Sequence, residues 1–528
     1  MSLPSPSYER TSAPPTSAAM SAGAILRDPA AAARARYDLI VVGGGVYGIL
    51  LALEAARRRL RPLLLERADF AGATSHNSLR ILHGGLRYLQ SLDLGRSLES
   101  IRERAWWRTR FPELVQPLPC LMPLYGDGLR RPAALRPALL LNDLLGRWQA
   151  PAAPSEAGRV VDAATARRLC PALDPSGLLG GAIWHDAVAT CAPRLMIEAL
   201  RWACAHGAHA LNYLEATGLL ADDGRLAGVI GRDHETGATH SLRATTVINA
   251  AGPSAAAFAA LAGADAPRLF RPALAWNVVF RRPPPADHAL AIRARREGAQ
   301  TYFLLPQGQL TVAGTGYAPW HGEAAGLRLP EALLERFVAE LNEACPGLAL
   351  STGEAVRTYV GLLPARAAGT AELTDRAVIV DHRQAGGPAG LFSVSGVKLT
   401  TAHALAERVI GRAFPDARPL PPDAFGRPPA LALPPEHLLL DPQAADPAPW
   451  RDSLRRAVDE EAALHLDDLL LRRTGFGDDP DQVLAVAPAA CRLLGWDGER
   501  ARAERTRLEA ALEPVRPWQA AGHGRTVQ

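Results

Sequence analysis

Short apolar runs that end in glycine punctuate the chain. Asp38-Leu39-Ile40-Val41-Val42 is rich in β-branched residues and has no polar face, as a buried parallel strand requires. It runs into Gly43-Gly44-Gly45, after which Leu50, Leu51 and Leu53 predict a helix to about Arg59. Pro62 to Leu65 predicts the next strand, with Glu66 at its end, so the segment reads as a βαβ unit. Two later runs share this form: Thr246 to Asn249 leading to Gly252, and Leu391 to Val394 leading to Gly396. Helices are predicted over 97–110, over 194–206 with Gly207 as its stop, near 330–343, and from Thr400 to Arg412. Between about 208 and 250, and at 277–281, 301–305 and 310–313, the pattern predicts strands. A proline-rich stretch, 414–448, reads as a linker. Beyond it Leu454, Val458, Ala462, Leu466 and Leu470 recur every fourth residue, which predicts a small helical domain over 449–528.

Composition narrows the class. A chain of 528 residues exceeds one ordinary core, and 48% hydrophobic with 21% charged residues is a globular balance. No stretch approaches the roughly 20 apolar residues of a membrane-spanning helix. The net charge of +4 does not suggest a nucleic-acid binder. Six scattered cysteines without a C-x-x-C pair indicate neither a metal site nor a disulfide framework, and fit a reducing, cytoplasmic location. Residues 1–34 are rich in Ser, Pro and Ala, lack the apolar core of a secretion signal, and read as a disordered tail; Met20 is a second candidate start. Of 58 basic residues only Lys398 is lysine. Either chance left it there or its position needs a compact ammonium whose pKa can shift, which arginine cannot supply.

Gly43-x-Gly45-x-x-Gly48 sits between a predicted strand and helix. The first glycine permits the tight turn, the second lets backbone approach a pyrophosphate, and the third lets helix pack on strand, leaving the helix N-terminus toward the phosphates. Glu66, some 20 residues on, is placed to accept from a ribose diol. This predicts a dinucleotide, with NADP disfavoured by the carboxylate; FAD and NAD both remain.

The stretch Ala73-Thr-Ser-His-Asn-Ser-Leu-Arg-Ile-Leu-His83-Gly-Gly-Leu-Arg-Tyr-Leu89, taken with the fingerprint, resembles the FAD-dependent glycerol-3-phosphate dehydrogenases, of the D-amino-acid-oxidase-type flavoprotein superfamily. Asn249-Ala-Ala-Gly252-Pro, Leu391-Phe-Ser-Val-Ser-Gly396-Val-Lys398-Leu399-Thr400-Thr401, Arg456-Ala-Val-Asp-Glu-Glu and Leu471-Arg-Arg-Thr474 carry the resemblance on, over about residues 37–510. It implies FAD, and a hydride passed from a secondary alcohol carbon to flavin N5. Thr74, Ser75, Asn77 and Ser78 are then expected at phosphate and ribitol oxygens. Gly84 and Gly85 would bring backbone close to the flavin ring. Gly252, Gly396, Leu399, Thr400 and Thr401 complete the expected flavin contacts, the last two opening a helix whose positive end favours the reduced ring. Arg87 and Tyr88 match the family's substrate-side pair, Lys398 its lysine near flavin and substrate, and His83 or Lys398 is the candidate proton acceptor.

The chain also departs from this family. Gly361-Leu-Leu363-Pro-Ala has leucine where the family has a phosphate-clamping arginine; a second family arginine aligns with Asp375 or, shifted by one, Arg376; a family histidine aligns with Asn277. Arg357, Arg366 or Arg376 is then expected to take over, or the substrate is another one. The family's electron transfer to a membrane quinone implies peripheral docking on the inner face of the cell membrane, for which the Arg/Leu-rich stretch 129–147 is a candidate; an ordinary packed helix explains that stretch equally, and dioxygen stands beside quinone as acceptor.

The expected architecture is an α/β FAD-binding domain of Rossmann type in three segments (35–110, 190–265, 355–413), an α+β substrate domain (111–189, 266–354), and the C-terminal helical domain. Three rivals stand beside this reading: a same-fold enzyme of another hydroxy acid or an amine, an NAD-dependent dehydrogenase, and a non-catalytic flavin-binding protein.

Overall fold

The computed structural model describes residues 21–86, 93–128, 130–150, 156–222, 225–263, 269–322, 324, 326–431, 433–434 and 448–517. Its first sheet grows around the strand Arg36–Val42, which pairs in parallel with Thr239–Asn249 on one side and Pro62–Leu65 on the other. Leu391–Ser395 extends the sheet beyond Thr239–Asn249, and His209–Leu211 extends it beyond Pro62–Leu65, both again parallel. The strands thus come from three distant stretches of chain. Leu39, Ile40 and Val41 are fully buried because helices cover the sheet, which explains their unbroken apolar run. Val46–Arg57, Ala192–Ala205 and Ala402–Ala413 pack together on one face.

A nine-stranded, largely antiparallel sheet makes the second lobe. Glu331–Ala344 lays Leu334, Phe337, Val338 and Leu341 against one face, beside Trp276 and Tyr302. Pro132–Gln149 lays Leu135 and Leu139 on the other, beside Cys120, Met122 and Trp184. The strand Ala355–Pro364 belongs to this sheet, paired with Pro272–Phe280, and not to the flavin domain as its sequence position suggested. Six consecutive residues of it are buried, so its pattern carries no alternation that would name its sheet.

The C-terminal helices Ala448–Glu460, Pro480–Leu494 and Gly498–Leu512 close around Trp450, Leu454, Phe476, Val483 and Leu508. The every-fourth-residue run from Leu454 to Leu470 is not one helix. It breaks where Ala462 turns left-handed, at φ 51°, and Asn212 donates to its carbonyl. A buried charged seam joins this domain to the first lobe. Arg473 meets both oxygens of Asp69 at 2.7 and 2.9 Å, Arg472 meets Asp69 at 2.5 Å, and Arg194 meets Glu461 at 2.7 and 2.8 Å. Arg472 and Arg473 lie in a π-helical turn, Leu469–Arg473.

Residues 21–34 are not a tail. Ile25 is buried and its amide donates to the Glu460 carbonyl, Arg27 pairs with Asp233 at 2.5 Å, and Pro29–Arg34 is a helix capped by Asp28. The Ser/Pro/Ala composition hid both the apolar anchor and the Asp-Pro helix start. In the stretch read as linker, Phe425 is buried against Trp202; residues 435–447 of it lie outside the described ones.

Candidate cofactor and active site

The glycine turn is built as a cradle. Gly43 has φ 107°, and a Cβ there would stand 2.6 Å from the Ala250 carbonyl oxygen, which brings the turn onto the end of the strand Thr239–Asn249. A Cβ at Gly48 would lie 1.7 Å from the Gly43 carbonyl oxygen, and one at Gly45 2.9 Å from Ser75 Oγ. The helix Val46–Arg57 therefore starts directly above the turn. Its first amide, Val46 N–H, donates to Ser75 Oγ at 2.9 Å. Glu66 accepts from Gly44 N–H at 2.6 Å and Ala68 N–H at 2.9 Å. Desolvation raises its carboxyl above the usual range against the pull of those amides.

The short helix Ala73–His76 carries the small polar residues into the seam between lobes. Thr74 Oγ1 donates to the Leu362 carbonyl at 3.1 Å and accepts its amide at 3.2 Å, and Asn77 Nδ2 donates to the Val360 carbonyl at 2.6 Å. These two side chains dock the helix onto Ala355–Pro364, whereas Ser75 faces the glycine turn. Asn277, expected at the substrate, is 3% exposed; its Nδ2 donates to the Asn77 carbonyl and its Oδ1 accepts from Thr315. Both ends of that amide are thus bonded within the protein.

His83 follows Ile81–Leu82, an edge strand of the second sheet, with 46% of its side chain exposed and its ring 5.0 Å from that of Phe303. Its Nδ1 is 3.0 Å from Asp186 Oδ2, and Gly84 N–H donates to Asp186 Oδ1 at 2.7 Å. Asp186 is buried on the strand Gly180–Ala189, and Arg104 bonds the adjacent His185 carbonyl at 2.5 Å. Burial alone would raise the Asp186 carboxyl, but the hydrogen bond from His83, the Arg104 guanidinium and the Gly84 amide hold it below the usual range. A Cβ at Gly84 would fall 2.1 Å from Arg104 Nη1, and one at Gly85 2.8 Å from the Ser97 carbonyl oxygen. Asp186, Arg104 and Ser97 escaped sequence reasoning; the one available signal was His185-Asp186 inside an otherwise apolar strand.

After Leu391–Ser395 the chain passes Gly396, where a Cβ would be 2.4 Å from the Tyr47 ring, and Tyr47 Oη donates to the Lys398 carbonyl at 3.1 Å. Lys398 and Leu399 are half-buried, and Thr400 is buried with its carbonyl bonded by Trp107 Nε1 at 3.2 Å. The helix starts at Ala402 with Thr401 as cap, two residues later than expected. The carboxylate of buried Glu103 accepts Ala404 N–H at 2.8 Å, so one donor of the helix end is already satisfied from within. Gly252, at φ 53°, opens the turn after Asn249, which donates to the Ala255 carbonyl and Ser393.

The arginines expected to replace the family clamp sort themselves. Arg357 is buried, bonded to the Gly477 carbonyl of the C-terminal domain. Asp375 instead gathers Arg96, at 3.2 Å, and Arg366. Arg96 neighbours Ser97 on the helix Leu94–Arg110, and exposed Arg376 acts on Asp93 one turn away. Arg87 and Tyr88 lie outside the described residues.

The residues fit a flavin dinucleotide. Cβ atoms at 43, 45 and 48 would collide with the turn's own surroundings, so the backbone there stays bare, and Ser78 Oγ and Ser395 Oγ are buried without a partner among the described residues, which suits an occupant with phosphate, ribityl and ring acceptors. Comparison with known proteins agrees. Residues 38–412 match the family model of FAD-dependent oxidoreductases. The chain is 30% identical to a glycerol-3-phosphate dehydrogenase of Mycobacterium leprae, over 90% of this chain and 88% of that one. It is 31% identical to glycerol-3-phosphate dehydrogenase 1 of Mycobacterium tuberculosis, over 85% and 94%. Among solved structures it resembles the FAD complex of the glycerol-3-phosphate dehydrogenase from Bacillus halodurans, with a TM-score of 0.70, 21% identity, and 92% and 96% of the two chains covered.

Proposed function

Because the chain belongs to the FAD-dependent oxidoreductases, in the glycerol-3-phosphate dehydrogenase family, we propose that it oxidises glycerol 3-phosphate at its secondary alcohol to dihydroxyacetone phosphate. The observation that carries this reading is the presence in one chain of the glycine cradle, the His83–Asp186 pair and the guanidiniums gathered by Asp375. FAD, when bound, supplies the acceptor for the hydride. Ser75 Oγ, Ser78 Oγ, the amides of the 43–48 turn and Glu66 hold the dinucleotide, with Thr74 and Asn77 fixing the helix that presents them. Gly84, Gly85, Gly252, Gly396, Leu399, Thr400 and Thr401 give the ring its backbone-lined seat.

His83 Nε2 takes the hydroxyl proton. Lys398, Arg87, Tyr88 and the Arg96–Asp375–Arg366 cluster meet the anionic group, and so offset the leucine at 363. Asp375, at the position of a family arginine, holds two guanidiniums through one carboxylate, with Asp93 also on Arg96 and Glu372 also on Arg366. Anaerobic bleaching of the visible flavin band by glycerol 3-phosphate, set against a panel of hydroxy acids and amines, tests the reading. Bleaching by another member alone would replace the substrate, and a preparation that stays colourless in excess FAD would end the case.

Electrons leave to a membrane quinone. No helix among the described residues is long and apolar enough to span a membrane, but Pro132–Gln149 exposes Leu140, Leu141, Leu144 and Trp148, the last 70% exposed, on its outer face. Arg131, Arg136 and Arg147 flank that stripe, a composition suited to an anionic lipid surface. Sedimentation with anionic vesicles should fall on substituting Leu144 and Trp148 by serine, while turnover with a soluble dye acceptor holds. Unchanged sedimentation would assign the acceptor contact elsewhere.

A further inference from the structure

Asp186 uses both oxygens toward the same short stretch, Oδ2 on His83 and Oδ1 on the Gly84 amide, from Gly180–Ala189, the strand that pairs antiparallel with Ile81–Leu82 just ahead of His83. A carboxylate only accepts, so His83 Nδ1 carries the hydrogen, and in the neutral ring Nε2 is then the acceptor. Arg104 locks the arrangement from behind: it bonds the His185 carbonyl and fills the space a Cβ at position 84 would take. Phe303 limits the ring from the far side. We propose that Asp186 is the positioning residue of the reaction, fixing the tautomer and direction of His83 and, through Gly84, tying that proton acceptor to the turn that seats the flavin. The proposal rests on the reading of His83 as proton acceptor.

In the step served, the substrate O–H bond breaks and its proton goes to His83 Nε2. The carbinol C–H bond breaks with its electron pair passing to the flavin, and the C=O bond forms from the oxygen's electrons. A ring turned or tautomerised so that Nε2 bears hydrogen cannot take that proton. Among the described residues, the charged and titratable groups facing the pair include Arg104 from the helix Leu94–Arg110 and the buried thiol of Cys120 from the strand Val115–Leu124.

Asp186→Asn is the discriminating variant. Its amide oxygen can still accept from Gly84, whereas its NH2 donates to His83 Nδ1 and moves the ring hydrogen to Nε2. The holoenzyme should keep its flavin and its KM for glycerol 3-phosphate while kcat with a dye acceptor falls by at least about 100-fold. His83→Gln should be equally impaired, and Asp186→Asn in that background should cost nothing more. Nitrogen NMR of the His83 ring in the FAD-loaded protein reads the tautomer without any substrate: Nδ1–H in the parent, Nε2–H in Asp186→Asn. An active His83→Gln removes the reading on which the proposal rests. An impaired His83→Gln beside a fully active or a colourless Asp186→Asn, or a parent ring bearing Nε2–H, overturns the proposal itself.

Discussion

Substituting Gly48 by alanine tests the cradle through one methyl group. The added Cβ would sit 1.7 Å from the Gly43 carbonyl oxygen and 3.3 Å from Leu64 Cδ1. Reaching even 3.0 Å, the limit real Cβ atoms respect, requires the helix to retreat by about 1.3 Å, the difference from the 1.7 Å contact. Ten of the twelve residues of Val46–Arg57 are buried, so the helix cannot tilt away without opening the first lobe's core. The retreat also draws Val46 N–H off Ser75 Oγ, now at 2.9 Å, and withdraws the helix N-terminus from the phosphate seat. If two charge-assisted amide contacts are lost at about 1.5–3 kcal/mol each, FAD affinity falls by roughly 3–6 kcal/mol, about 150- to 25,000-fold. Flavin content after purification and titration of apoprotein with FAD measure this, with far-UV circular dichroism confirming the fold. Gly146→Ala is the control: nothing lies within 4 Å of its Cβ position, so it should bind FAD normally and gain about 0.5–1 kcal/mol of helix stability. Gly48→Ala protein that retains stoichiometric flavin, with affinity within about threefold of the parent, would refute the cradle argument.

Other outcomes follow from the seams and the site. Arg473→Met leaves Asp69 and Glu461 buried with less compensation, and should cost about 3–5 kcal/mol in denaturant unfolding; a loss under about 1 kcal/mol would mean the seam is not the anchor. His465, bonded to Glu235 and Glu504, is raised to about 9: burial opposes its charge, and the two carboxylates outweigh it. Its folded value exceeds the unfolded one near 6.5, so its stabilisation is complete below about pH 6.5 and lost as pH rises through about 9. His465→Gln should therefore be destabilised by about 3 kcal/mol at pH 6 and indistinguishable from the parent above pH 9; a pH-independent difference would contradict this. Lys398→Arg should keep bound flavin and lose most turnover, because a fork cannot replace a point charge in a half-buried site; undiminished activity would remove its role.

What the sequence disclosed was whatever a single stretch of backbone settles locally. Gly43, Gly45 and Gly48 are legible because a strand, a turn and a helix in succession leave glycine no substitute there, and the lone lysine stood out against 57 arginines by composition. Groups supplied from elsewhere stayed hidden. Asp186 reaches His83 from 103 residues away, and Glu103 reaches the helix start at Ala404 from 301 residues away. The Arg96–Asp375 pair spans 279 residues, and no periodicity encodes it. The bonds of Asn277 were hidden for a related reason: its register opposite Tyr359 and Gly314 sets it against Thr315 and the Asn77 carbonyl.

The flavin lobe's interrupted sheet sets a timetable for its birth on the ribosome. Thr239–Asn249 has one parallel neighbour within reach as soon as it emerges, but the other, Leu391–Ser395, is still untranslated by some 142 residues, from 249 to 391. At about 5–20 residues per second that is a wait of roughly 7–28 s with Val247 and Ile248 at a bare, apolar margin. A nascent chain in this interval is sticky and without a finished seat for its coenzyme, because Gly396 and Lys398 arrive only behind the missing strand.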